Sequence, residues 1–117
     1  MELERITTDN GGLIIELQGE FDAEGVARIR PALENIAEAD GISRVFLDLN
    51  GVSFLDSSGI GAIVFLFKRL RTRQLELELI GVHGQPRELI ELLRINKAIP
   101  VTLEQPAKVP GDSSCAA

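Results

Sequence analysis

The chain has 117 residues, 44% hydrophobic and 26% charged, which fits one globular domain and leaves little room for a second. Its 18 acidic residues outnumber 12 basic ones, for a net charge of −6. That balance disfavours both nucleic acid and an anionic membrane surface as partners, because each needs a basic patch.

The start, MELERITTDN, is polar and acidic, which is not the pattern of a secretory signal. The longest strongly apolar stretch, Ile60 to Phe67, is far short of the roughly 20 residues that span a bilayer. Cys115 is the only cysteine, so no internal disulfide can form, and a cytoplasmic protein is expected. With five Phe and neither Trp nor Tyr, aliphatic side chains must fill the core.

Asp9-Asn10-Gly11-Gly12 is a turn signal between two extended segments, Leu3 to Thr8 and Leu13 to Gly19, read as an antiparallel hairpin. Leu13, Ile15 and Leu17 share one face at period two. Asp22 can cap a helix running to about Ala39, with Val26, Ile29, Leu33, Ile36 and Ala37 as its apolar stripe. Pro31 falls inside that stripe and is expected to kink it.

Val45 to Leu49, VFLDL, reads as a central strand covered by helices. A second helix is predicted from Ser57 to about Arg71, with Ile60, Ile63, Val64, Phe67 and Leu70 turned inward. Leu75 to Ile80 alternates strictly, as a strand with one wet face does, and should pair in parallel with VFLDL. Pro86 suits the first turn of a third helix that buries Leu89, Ile90, Leu92 and Leu93, with Asn96 ending it in a left-handed conformation. Ile99 to Val101 suggests a last edge strand, and the Pro-, Ser- and Ala-rich residues 104–117 read as a disordered tail. The expected fold class is α/β, a small mixed sheet of four to five strands with helices packed against it.

The segment with chemical content is VSFLDSSGIGAIVFLF, Val52 to Phe67. Ser57 stands where a strand turns into a helix. A hydroxyl there can accept hydrogen bonds from first-turn amides, and the same place favours an anion. A phosphate on Ser57, adding roughly −1.5 to −2 charges, would be tolerated by the fold. Gly59 and Gly61 each weaken a helix interior by roughly 1 kcal/mol relative to Ala, a cost that close approach of another backbone would offset. Phe65 and Leu66 widen the apolar face, either as a docking patch or because the helix packs on both sides. From the residues alone, Asp56-Ser57-Ser58-Gly59 is equally an ordinary helix cap.

The alternatives are weaker. His83, the only histidine, lies in a Gly-Val-His-Gly turn, and no G-x-S-x-G elbow exists for a serine hydrolase. One His and one tail Cys cannot build a metal site, and no P-loop is present. Lys68, Arg69, Arg71 and Arg73 form either a local basic patch or a helix end that complements its own dipole. Ser113 and Ser114 also follow an Asp, but in a tail without preorganised geometry.

Two motifs, Gly19-Glu20-Phe21-Asp22 and Phe54-Leu55-Asp56-Ser57-Ser58-Gly59-Ile60-Gly61, with the VFLDL strand between them, make roughly residues 3 to 103 resemble the STAS domain. The second motif is similar to the signature of stand-alone bacterial anti-sigma-factor antagonists. The resemblance implies a phosphorylation-regulated, non-enzymatic binding switch. The unphosphorylated form binds an anti-sigma factor that is also a serine kinase, and phosphorylation releases it. A metal-dependent serine phosphatase then resets it. The chain itself needs no cofactor, since the kinase uses the ATP, and a monomer is expected.

By the same resemblance the acceptor is Ser57, with Ser58 as its rival neighbour. Gly19, Glu20, Asp22, Asp56, Ser58, Gly59, Ile60 and Gly61 are the implied partner contacts. Pro31, Gln74 (where the family often has Gly) and Asn96-Lys97-Ala98 depart from the pattern. A STAS adaptor in lipid or anion transport, and a partner switch with a non-sigma output, remain open alternatives.

Overall fold

The computed structural model describes residues 1–102. Cys115, Ser113, Ser114, the tail 104–117 and the expected domain end at residue 103 lie outside them. Strand β1 (Glu2–Thr7) turns into β2 (Gly12–Phe21) through the expected hairpin, with Ile6 opposite Ile14 and Leu3 opposite Leu17. Gly11 takes a positive φ of 79° in that turn. There follow α1 (Ala23–Glu38), β3 (Arg44–Leu55), α2 (Ser57–Thr72), β4 (Glu76–Ile80), α3 (Gly84–Leu92), a short 3₁₀ turn (Ile95–Lys97) and β5 (Val101–Thr102). The five strands form one mixed sheet in the order β1-β2-β3-β4-β5, antiparallel only between β1 and β2.

Alternation along the strands sends Leu13, Ile15, Leu17, Val45, Leu47, Leu49, Leu77 and Leu79 to one face, where they share a single cluster with the inner stripes of α1 and α2. The α1 stripe is the expected one: Val26, Ile29, Leu33, Ile36 and Ala37 are all buried. α1 runs through Pro31 without a break. Pro31 and Ala27, whose carbonyl loses its helix partner, are both on the solvent side, where water can replace the bond.

Several expectations change. β3 does not stop at Leu49 but continues to Leu55, because β2 stays paired with it through two register shifts, near Gln18 and Gly19. In α2 the fully buried residues are Ile63, Leu66 and Leu70, while Val64, Phe65 and Phe67 are half-buried. Leu66 is therefore core rather than docking surface, and burying it contributes about 1.5–3 kcal/mol. In α3, Pro86 and Ile90 are buried, but Leu92 and Leu93 are 76% and 48% exposed. The helix ends at Leu92, and Arg94 rather than Asn96 takes the left-handed conformation (φ 60°). Ile99 is buried just before β5 instead of opening it.

The four basic residues at the end of α2 mostly serve the fold. Arg73 donates to the carbonyls of Ala37 (2.8 Å) and Ala39 (2.7 Å), and Arg69 pairs with Glu38 (2.8 Å) and lies over the Phe65 ring. Cations thus sit at the carbonyl end of α1, where its dipole favours them.

Gln74 closes α2 with a positive φ of 62°, its N–H donating to Arg71 and that of Leu75 to Leu70. A left-handed non-glycine residue costs roughly 1–2 kcal/mol, and glycine returns roughly 0.5–1 of that as unfolded-chain entropy. Gln74→Gly should therefore stabilise the protein by about 0.5–1 kcal/mol, a rise of about 2–6 °C in Tm by thermal melting. An unchanged or lowered Tm would contradict this account of the turn.

Candidate functional site

β2 and β3 end level with each other, Phe21 paired with Leu55, and each strand is followed at once by an aspartate. Both aspartates are extended and both cap a helix. Asp22 Oδ1 accepts from Gly25 N (2.9 Å) at the start of α1. Asp56 Oδ1 accepts from Ser58 N (2.9 Å) and Gly59 N (3.2 Å) at the start of α2. Parallel pairing thus brings two carboxylates from distant motifs to the same end of the sheet.

This arrangement corrects the expectation that Ser57 is the cap. Asp56 supplies the capping oxygen, and Ser57 is the first residue of α2. The Ser57 side chain is exposed, and among the described residues its hydroxyl makes no hydrogen bond. Two of the anion-favouring amides of the first turn, those of Ser58 and Gly59, are also taken, by Asp56. A negative group added to Ser57 therefore lies beside a carboxylate and points outward instead of being absorbed by the helix end. Ser58 is half-buried and faces the groove between α1 and α2, near Ala23, Val26 and Arg30.

The other implied contacts divide by burial. Gly59 is buried: a Cβ there would lie 2.4 Å from the Phe21 carbonyl oxygen and 2.5 Å from Leu55 Cδ1. The close approach it permits is internal, α2 against the end of β2. Ile60, 9% exposed, also belongs to the core. Gly61 is exposed, and a methyl group added there would have nothing within 4 Å, so it leaves bare backbone one turn from Ser57. Gly19, with φ 113°, sits at the second register shift of β2, and Glu20 is paired with Phe54 across the strands. Phe54 is 41% exposed, an aromatic side chain three residues before Ser57 that no periodicity in the sequence singles out.

Gln85 is a second residue that the motifs do not mark. Its Oε1 accepts from Leu55 N (2.8 Å) and its Nε2 donates to the Leu55 carbonyl (2.8 Å). No spacing rule in the sequence announces a contact across 30 residues. His83 is a loop residue, as expected, with Nε2 2.8 Å from the Asn50 carbonyl oxygen. Among the described residues no cluster of His, Cys, Asp and Glu could hold a metal, and no helix is long and apolar enough to cross a membrane.

Comparison with known proteins agrees with this architecture. Residues 3–105 match the STAS domain. The anti-sigma-B factor antagonist of Listeria monocytogenes is 35% identical over 101 residues, covering 86% of each chain. Among solved structures, an anti-sigma-factor antagonist (STAS) domain protein from Planctomyces limnophilus superposes with a TM-score of 0.76 at 20% identity, covering 90% of this chain and 92% of its own. The unphosphorylated anti-sigma factor antagonist SpoIIAA superposes at 0.69 with 17% identity, covering 89% and 90%. The match over nearly the whole described chain, together with the level ends of β2 and β3 and their two capping aspartates, places the protein in the STAS domain family.

Proposed function

We propose that this protein is an anti-sigma-factor antagonist switched by phosphorylation of Ser57. The observation that carries the reading is the exposed, unbonded Ser57 hydroxyl directly after the capping Asp56, in a chain 35% identical to an antagonist over 101 residues. The unphosphorylated chain binds an anti-sigma factor through the surface around Ser57, Gly61 and Glu20. The anti-sigma factor acts as a serine kinase on the same site. Ser57 Oγ attacks the γ-phosphorus of Mg-ATP, the bond from that phosphorus to the β-bridging oxygen breaks, ADP leaves, and the hydroxyl proton passes to a base of the kinase. The chain supplies only the nucleophile and its placement; a serine phosphatase restores the hydroxyl by hydrolysis. Work takes place in the cytoplasm, where kinase and ATP are found.

The size of the switch follows from charge. With −6 on the chain and Asp56 beside Ser57, a phosphate adds to negative charge already present. A charge left unpaired in an interface costs about 2–5 kcal/mol, or roughly 30-fold to several-thousand-fold in affinity. The reading predicts ATP-driven release: the immobilised chain, loaded from a lysate of its source organism, should shed a bound anti-sigma factor when Mg-ATP is added. Ser57→Ala should retain that protein under the same wash. Release from Ser57→Ala at the wild-type rate would refute the switch.

A further inference from the structure

β4 ends at Ile80, opposite Asp48, so the last part of β3 has a strand neighbour only on its β2 side. On the other side the first turn of α3 takes the place of a strand. His83 bonds the Asn50 carbonyl, and the Gln85 amide satisfies both the N–H and the carbonyl of Leu55, each at 2.8 Å. Leu55 is the last residue of β3, two before Ser57, and Asp56 N reaches back to the Phe21 carbonyl at 3.5 Å. The turn bearing Ser57 is therefore held from two sides, by β2 and by one glutamine of α3. A paired donor and acceptor on a planar amide fixes direction as well as distance, which a single hydrogen bond does not.

We infer that Gln85 is a positioning residue for phosphoryl transfer, holding the end of β3 so that Ser57 is presented at a fixed angle to the kinase. The inference rests on the switch proposed above. Gln85 acts through Leu55 and Asp56, not by touching nucleotide or kinase. Its loss should therefore lower the rate at saturation and leave the concentration dependence alone. Misplacement of a reacting group by about 1 Å can cost up to roughly 100-fold, and a tethered turn should lose less, about tenfold.

The test uses the full chain, labelled γ-phosphate of Mg-ATP and a lysate of the source organism, with initial rates measured across antagonist concentration. Gln85→Ala removes both bonds. Gln85→Glu keeps the size and the acceptor but turns a carboxylate oxygen toward the Leu55 carbonyl, and serves if Gln85→Ala does not fold. Both should lower apparent Vmax about tenfold with apparent KM within twofold of wild type, while Glu88→Gln, exposed on the same helix, behaves as wild type. Raised KM at unchanged Vmax would overturn the inference by making Gln85 a docking contact. Rates equal to wild type would overturn it too and leave the switch standing. No labelling of wild type in a lysate with demonstrable kinase activity would overturn the switch and this inference with it.

Discussion

Ser57→Asp should bind the anti-sigma partner about 30-fold more weakly than the wild-type chain and melt within a few degrees of it. The two halves of that expectation have separate causes. Asp56 already occupies the amides of Ser58 and Gly59, so a second carboxylate at position 57 finds those two donors of the first turn of α2 taken. It faces the partner instead. One added charge is less than a phosphate carries, which places the loss near the lower end of the 2–5 kcal/mol range, about 2 kcal/mol. The fold is spared because Ser57 is exposed and an acidic residue in a first helical turn is mildly favourable, by about 0.3–1 kcal/mol. Titration calorimetry against the partner, with parallel thermal melts, measures both halves. Equal affinities for Ser57→Asp and wild type would count against charge as the releasing force.

Gly59→Ala and Gly61→Ala, the same change two positions apart in one helix, should move stability in opposite directions. At Gly59 the new methyl would meet a backbone oxygen at 2.4 Å and Leu55 Cδ1 at 2.5 Å. Backbone cannot rotate aside as a side chain can, so α2 must lift from β2. Such overpacking costs about 3 kcal/mol, reduced by about 1 for better helix propensity. The net loss of about 2 kcal/mol should lower Tm by about 10 °C. At Gly61 nothing lies within 4 Å, so only the propensity gain of about 1 kcal/mol remains. If the partner rests on the bare backbone at Gly61, that stabilised variant binds it less well. A Gly59→Ala protein as stable as wild type would show that α2 does not sit on β2 as described.

Much of this was legible in the residues because period and punctuation agreed. The α1 stripe and the alternation of β2 admit one phase each, and both lie as the pattern predicts. α2 is apolar around most of its circumference, so its phase was ambiguous, and Leu66 rather than Val64 or Phe67 took the deepest place. In α3 the apolar spacing pointed Leu92 and Leu93 inward. The helix stops at Leu92 and the chain turns at Arg94, which leaves both exposed.

At the site, the motif indicated the turn but not its internal bonding. Asp and Ser are both good caps, and only the extended backbone of Asp56 decides that the carboxylate does the capping. The apolar run of the central strand stops at Leu49, yet pairing with β2 carries β3 on to Leu55, and that extension is what sets Asp56, the residue before Ser57, level with Asp22. Gln85 was invisible for a different reason. Its two bonds depend on where α3 begins relative to the unpaired end of β3, a tertiary placement that no local pattern encodes.

The most direct test of Ser57 as the switch is to map phosphate after incubation with Mg-ATP and host lysate, by intact and peptide mass spectrometry on wild type, Ser57→Ala and Ser58→Ala. One phosphate on wild type and on Ser58→Ala, and none on Ser57→Ala, is the outcome predicted by an exposed Ser57 and a half-buried Ser58. Phosphate retained on Ser57→Ala, or absent from wild type where the kinase is demonstrably active, would contradict it.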